Sequence, residues 1–252
     1  MGSAAAACAE TGDYGVVELE FAGAGGGRRR LPLGACGGVL FEDAVPVRSF
    51  RWSRGQQHFP GWWWLATTGR HVGYESWLER DHLMLLDFDP VVTAVSSQPF
   101  WLHWHDGRRS RRHAPDFFAR LAGGTGVVID VRADDRIGPQ DAEAFEVTAG
   151  ACAAAGWQFR RAGVVDAVLA ANVRWLARYR HPRCAGRAEV ADALREAFCG
   201  PVCLSAGVAA VGDNLAVLPV LFHLMWRRVL AADLGSGPLG SSSVVWLEAD
   251  AR

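Results

Sequence analysis

Lysine is missing from this chain: all 26 of its Lys+Arg positions are arginine. With the abundance of alanine and glycine, that bias reads as the imprint of a GC-rich genome. Net charge is also missing. A formal value of -1 excludes global attraction to nucleic acid, so any such contact must come from local basic patches. No apolar run is long and uninterrupted enough to span a bilayer. The first residues lack the basic region of a secretory signal, and position 6 is Ala where a myristoylation signal takes Ser or Thr. The six cysteines (Cys8, Cys36, Cys152, Cys184, Cys199 and Cys203) form neither a CxxC pair nor a Cys/His set of zinc spacing, so they are expected to be reduced thiols. A cytoplasmic location is the expectation from these absences.

What is present is a chain of 252 residues, half of them hydrophobic, enough for one large domain or two modest ones. Residues 1–13 are small and Ala-rich and are expected to be disordered. From Val16 through Leu40 the pattern is a hairpin across the Gly23–Gly27 turn, with Arg28-Arg29-Arg30 opening the return strand. Residues 47–73 are rich in Gly, Trp and Arg, and Trp62-Trp63-Trp64 reads as an extended segment closing over a core. A helical pattern covers 74–87 and stops at Asp87-Phe88-Asp89-Pro90.

Strands are expected at 91–96, 100–105, 114–121 and 126–132. Pro139 begins a helix to Ala155, Trp157-Gln158-Phe159-Arg160 is a short strand, and 164–179 is helical. That order indicates an α/β or α+β layer fold over residues 14–180. His181-Pro182-Arg183 marks a boundary. Beyond it, in 183–252, helices at 187–197, 204–211 and 215–232 and a strand at Val244-Val245-Trp246-Leu247 suggest either a winged helix-turn-helix or a small helical cap.

Three acidic positions stand out. Glu79 lies in the helical stretch, Asp116 in His113-Ala114-Pro115-Asp116-Phe117, and Asp130 within Val127-Val128-Ile129-Asp130-Val131-Arg132. A carboxylate inside an apolar run is expensive unless a cation balances it. A helix and two strands can gather three such groups around Mg²⁺ or Mn²⁺, which take hard oxygen ligands, and this points to phosphodiester hydrolysis. Buried ion pairs are the plainer alternative. Arg132, two residues past Asp130, shares its face by strand alternation. There it would either fork hydrogen bonds onto phosphate or form a salt bridge with Asp130; it cannot accept a proton from water. Arg108, Arg109, Arg111 and Arg112 form a phosphate clamp or an exposed turn. Glu143 and Glu146 share one helix face and either support the metal or face solvent. His103 and His105 alternate on one strand without a third zinc ligand.

From about Gly73 to Trp157 the chain resembles the endonuclease subunit of heteromeric transposases, the TnsA-like proteins. The resemblance rests on Glu75-Ser76-Trp77-Leu78-Glu79-Arg80-Asp81, Gln98-Pro99, His113-Ala114-Pro115-Asp116-Phe117 and Ile129-Asp130-Val131-Arg132 in that order. It implies a restriction-endonuclease-like mixed sheet flanked by helices, of the PD-(D/E)xK kind. It also implies Glu79, Asp116 and Asp130 as catalytic metal ligands, a C-terminal winged-helix-like domain, and cutting at the 5′ ends of a mobile element. The implied partners are double-stranded DNA, a TnsB-like DDE transposase and a TnsC-like AAA+ regulator. Arg132 departs from the pattern, since the family carries Lys there. Two alternatives accompany this expectation: a catalytically weak scaffold subunit of the same machinery, and a stand-alone restriction or repair nuclease.

Overall fold

A computed structural model describes residues 16–23, 25–50 and 59–249. The expected disorder over 1–13, Cys8 and part of the Gly/Trp/Arg-rich stretch lie outside these. The chain divides into two compact units. The first takes the described residues up to Leu83 together with Val91–Val164, and the second takes Met84–Pro90 with the described residues from Val165. The division falls just before the helix expected at 164–179, so that helix and His181-Pro182-Arg183 both belong to the second unit. The class is mixed α/β, with several sheets and six helices among the described residues.

The first unit begins with the expected hairpin. β1 (Glu18–Ala22) pairs antiparallel with β2 (Arg28–Pro32), and Gly26 supplies the turn's positive φ of 77°. The tryptophan run forms β3 (Gly61–Trp64), paired antiparallel with β4 (His71–Tyr74). Next come α1 (Trp77–Phe88), β5 (Val92–Ser97), β6 (Trp101–His105), β7 (Ser110–His113), β8 (Phe117–Leu121), β9 (Gly126–Val131), α2 (Pro139–Ala155) and β10 (Gln158–Ala162). Two four-stranded sheets result, in the orders β2-β1-β6-β7 and β10-β9-β8-β5. In the second, β5, β8 and β9 are antiparallel neighbours, and β10 lies parallel to β9 after the α2 crossover.

One expected strand is really two. The stretch 114–121 is strand only from Phe117; β7 belongs to the first sheet and β8 to the second. Pro115 has no N–H to give a ladder, so Ala114-Pro115-Asp116 is where the chain leaves one sheet for the other. The bounds of α2 follow their signals. Pro139 fills the first turn, where its missing N–H is no loss, Asp141 Oδ2 accepts from Gly138 N at 3.0 Å, and Gly156 ends the helix at φ 72°.

A core of Leu19, Phe21, Leu102, Phe118, Val128 and Val147 draws on both sheets and α2. Phe41 sits in it fully buried, with ring centroids 5.1 Å from Phe21, 5.0 Å from Phe100 and 5.4 Å from Trp157. Edge-on contacts of this kind contribute about 0.5–1.5 kcal/mol each beyond burial.

The second unit contains α3 (Ala167–Leu176), α4 (Ala188–Ala197), β11 (Val202–Cys203), α5 (Leu204–Val211), α6 (Asn214–Trp226), β12 (Leu230–Ala232) and β13 (Val244–Leu247), with the last turn of α1. Asp166 caps α3 through Val168 N and Leu169 N. Asn172, buried, ties α3 to the loop between β12 and β13: it donates to Leu234 O and Gly237 O and accepts from Leu239 N. The helix expected over 215–232 stops at Trp226. Arg228 takes φ 56°, and Leu230–Ala232 pair with β13 in an antiparallel sheet of order β11-β13-β12. Among the described residues no helix is long and apolar enough to cross a membrane.

Candidate functional site

Glu79, Asp116, Asp130 and Arg132 line one cavity of about 870 Å³ in the first unit, together with Arg48, Arg112 and His113. Each reaches it from a different local structure. Ser76 precedes the first turn of α1 and its Oγ accepts from Glu79 N at 3.2 Å, a serine N-cap with glutamate three residues on. Both oxygens of Glu79 answer that cap: Oε2 accepts from Glu75 N at 2.7 Å and Oε1 from Ser76 Oγ at 2.9 Å. Burial raises the Glu79 carboxyl above its ordinary range, and the two hydrogen bonds only partly offset it.

Asp116 sits where the chain switches sheets. Gln98, buried at φ 46°, holds it from behind: Gln98 N donates to Asp116 O at 2.9 Å, while Gln98 O accepts from Val47 N at 3.0 Å. Its Oδ2 accepts from Val131 N at 2.7 Å. Burial, then the neighbouring charges of Glu79 and Asp130, push its proton affinity well above that of an ordinary aspartate. Burial and like charge both disfavour the ionised form, and the Val131 N–H and the charge of Arg48 only partly offset them.

Asp130 lies near the end of β9 with its side chain only 3% exposed. His113 Nε2 stands 2.8 Å from its Oδ1, and its Oδ2 is buried with no hydrogen-bond partner. A buried carboxylate oxygen without a partner is costly in a folded protein and calls for a cation or donor to meet it.

Arg132 makes its ion pair with Asp141 Oδ1, at 2.6 Å, at the start of α2, rather than with Asp130. The strand ends at Val131, and Arg132 is tied by its backbone to Ala162 O. Asp141 has a lowered pKa: burial alone would raise it, but the Gly138 N–H and the Arg132 guanidinium outweigh that. Arg48, bonded to Glu75 at 2.7 Å, is a second guanidinium whose charge reaches Glu79 and Asp116.

The arginine run divides. Only Arg112 lines the cavity, its guanidinium 4.3 Å over the Trp101 ring. Arg108 and Arg109 are exposed on the β6–β7 turn, whose backbone Asp106 caps through both their N–H groups. Arg111 pairs with Asp106 at 2.7 Å and Glu143 at 3.4 Å. Glu143 also accepts from Trp104 Nε1 at 3.1 Å, Glu146 is exposed, and neither lines the cavity. His103 pairs with Glu20 and His105 accepts from Gly107 N.

The three carboxylates are neighbours, yet among the described residues no three His, Cys, Asp or Glu side chains are disposed to hold one ion. Both oxygens of Glu79 are engaged with its helix cap. Asp116 and Asp130 remain as a hard oxygen pair, one with a partnerless oxygen, and Mg²⁺ is commonly held by one or two carboxylates plus substrate phosphate. The residues therefore fit such an ion as a two-carboxylate site.

Sequence patterns gave no role to His113, Ser76, Arg48 or Asp141. Ser76-x-x-Glu79 was a readable capping box; the His113–Asp130 pair joins two sheets and had no local signal. No protein-family model matches the chain, and no curated protein matches it.

Proposed function

We propose that the chain is a metal-dependent DNA endonuclease, the cutting subunit of a TnsA-like heteromeric transposase. The observation that carries this reading is the partnerless, buried Oδ2 of Asp130 beside an Asp116 whose proton affinity is raised by burial and then by its acidic neighbours. The mixed β5-β8-β9-β10 sheet with its α2 crossover supports a restriction-endonuclease-like core, and α4, α5 and α6 with the small antiparallel sheet of the second unit support a winged-helix-like domain.

Asp116 and Asp130 would hold the ion. Mg²⁺ or Mn²⁺ bound there would supply charge stabilisation at the phosphate and lower the pKa of the attacking water. Arg132, its side chain 46% exposed in the cavity wall, is placed to fork hydrogen bonds onto a phosphate, with Asp141 steering its guanidinium. Arginine does not take the water's proton at neutral pH. Arg112 is the clamp residue nearest the chemistry. The partners of this reading are double-stranded element ends, a TnsB-like DDE transposase and a TnsC-like AAA+ regulator.

The test is a nicking assay on supercoiled plasmid and element ends with Mg²⁺ and Mn²⁺, with and without the transposase. Scission lost in Asp116→Ala supports the nuclease. A second reading, a scaffold subunit with a decayed site, is favoured by the Arg132–Asp141 pair that occupies the guanidinium. Silence in the wild type with cutting gained in Arg132→Lys selects that reading. Cutting with no response to a transposase, from a gene beside no transposition genes, selects the stand-alone nuclease.

A further inference from the structure

Asp130 is asymmetric: its Oδ1 meets His113 Nε2 at 2.8 Å, while Oδ2, buried, meets no donor. A carboxylate group turns readily about its last bond, so the two oxygens are interchangeable until something distinguishes them. His113 does so. An ionised carboxylate only accepts hydrogen bonds, so the contact requires the proton on Nε2. The imidazole is in turn fixed. It is the last residue of β7, opposite Leu102 in the first sheet's register, and the Phe145 ring of α2 meets it edge-on at 6.4 Å.

We infer that His113 is a positioning residue: by holding Oδ1 of Asp130 it leaves Oδ2 free as a ligand oxygen for a divalent cation at the cavity that Asp130 lines. The inference rests on the metal-dependent reading above. It gives the sheet-to-sheet contact a purpose, because the first sheet supplies the donor and the second the ligand. Ligating carboxylates are themselves hydrogen-bonded in metal sites, and losing such an outer partner typically lowers metal affinity about 10–100-fold.

The experiment is a Mn²⁺ titration of the full chain without DNA, free Mn²⁺ being followed by electron paramagnetic resonance. Wild type is compared with Asp130→Asn, His113→Gln, His113→Asn and His113→Phe, each checked by thermal unfolding without metal. Glutamine places its amide nitrogen near the Nε2 position, asparagine falls a methylene short, and phenylalanine keeps the ring without a donor. The expected result is affinity about 10–100-fold weaker in Asn and Phe and within a few-fold of wild type in Gln. Either of these two variants, if folded, suffices for the comparison, since neither brings a donor to the Nε2 position. Wild-type affinity in the folded Asn or Phe variant, or equal weakening by Gln and Asn, overturns the positioning role while Asp130→Asn still reports the site. A wild type that takes up no Mn²⁺ overturns the metal-dependent reading, and this inference with it.

Discussion

On the β1–β2 hairpin, Glu18 meets Arg30 at 2.6 Å, and Glu20 meets both Arg28 at 3.2 Å and His103 of β6 at 3.0 Å. Where β8 begins and β9 ends, Asp116 and Asp130 lie close to each other and to Glu79, with one histidine contact and an oxygen left over. Both places carry carboxylates on or beside antiparallel strands of the same unit. In the first, cross-strand cations neutralise partly exposed acids, an arrangement that contributes at most about 1 kcal/mol per pair. In the second, burial and like charge accumulate, which a fold tolerates where something outside the chain completes the charge balance.

The sharpest way to break that contrast is Asp116→Asn. It removes one of the crowded charges while keeping an oxygen to accept from Val131 N. Metal-dependent scission is expected to fall at least about 10²-fold. Metal-free stability is expected to rise by about 1 kcal/mol, since a repulsive burial is relieved. Glu18→Gln, in the paired region, is expected to leave scission unchanged and to lower stability by less than about 1 kcal/mol. Urea unfolding and the nicking assay on both variants check this; a loss of stability in Asp116→Asn would remove the distinction.

Next in size is the difference between two arginines of one hairpin. Arg112 lies over Trp101 in the cavity wall, whereas Arg108 is exposed on a turn that Asp106 caps through backbone groups. Arg112→Ala is expected to weaken DNA binding several-fold and to reduce the slope of log affinity against log salt by about 1. Arg108→Ala is expected to do less on both counts. Equal effects from the two would mean that DNA follows the turn rather than the cavity.

How much of this was legible depends on the range of the interactions. Pro139 and Gly156 bracket α2 with local signals, and a continuous β-branched apolar run marked β9. The same locality misled at Leu230–Ala232, where apolar residues continue the pattern of α6 but pair with β13 after Arg228 turns the chain. It misled again at Ala114–Asp116, where Pro115 was a visible objection to an unbroken strand. At the site, flanking residues pointed to Asp116 and Asp130 because an apolar context makes a carboxylate conspicuous. They were silent on His113, whose partner is 17 residues on in another sheet, and on Arg132, whose pairing depends on where α2 begins.

Glu79 sharpens the comparison from the opposite side, because it is acidic, crowded and yet fully hydrogen-bonded by its own helix cap. Glu79→Ala is expected to cost about 1 kcal/mol in stability, the usual consequence of losing a cap. Glu79→Gln keeps an accepting oxygen and is expected to hold Mn²⁺ affinity within a few-fold, in contrast to Asp130→Asn. A large loss of Mn²⁺ in Glu79→Gln would return Glu79 to the ligand set and require its side chain to leave the cap.

The smallest effect concerns a histidine that is half-buried and hydrogen-bonded. His82, one turn beyond Glu79 on α1, meets Gly163 O through Nε2 at 2.7 Å. Burial lowers its pKa from 6.5, and the Gly163 carbonyl and Asp81 only partly offset that. The unfolded chain therefore binds a proton more readily than the folded one between 6.5 and the lowered value. Stability from this group is fully present above pH 6.5 and declines as pH falls through that window. His82→Gln can keep the contact to Gly163 without titrating, so its unfolding midpoint should fall less between pH 7 and pH 5 than that of the wild type. Parallel curves for the two proteins would show that the acid sensitivity arises elsewhere, with buried His223 the next group to replace, since burial depresses its pKa as well.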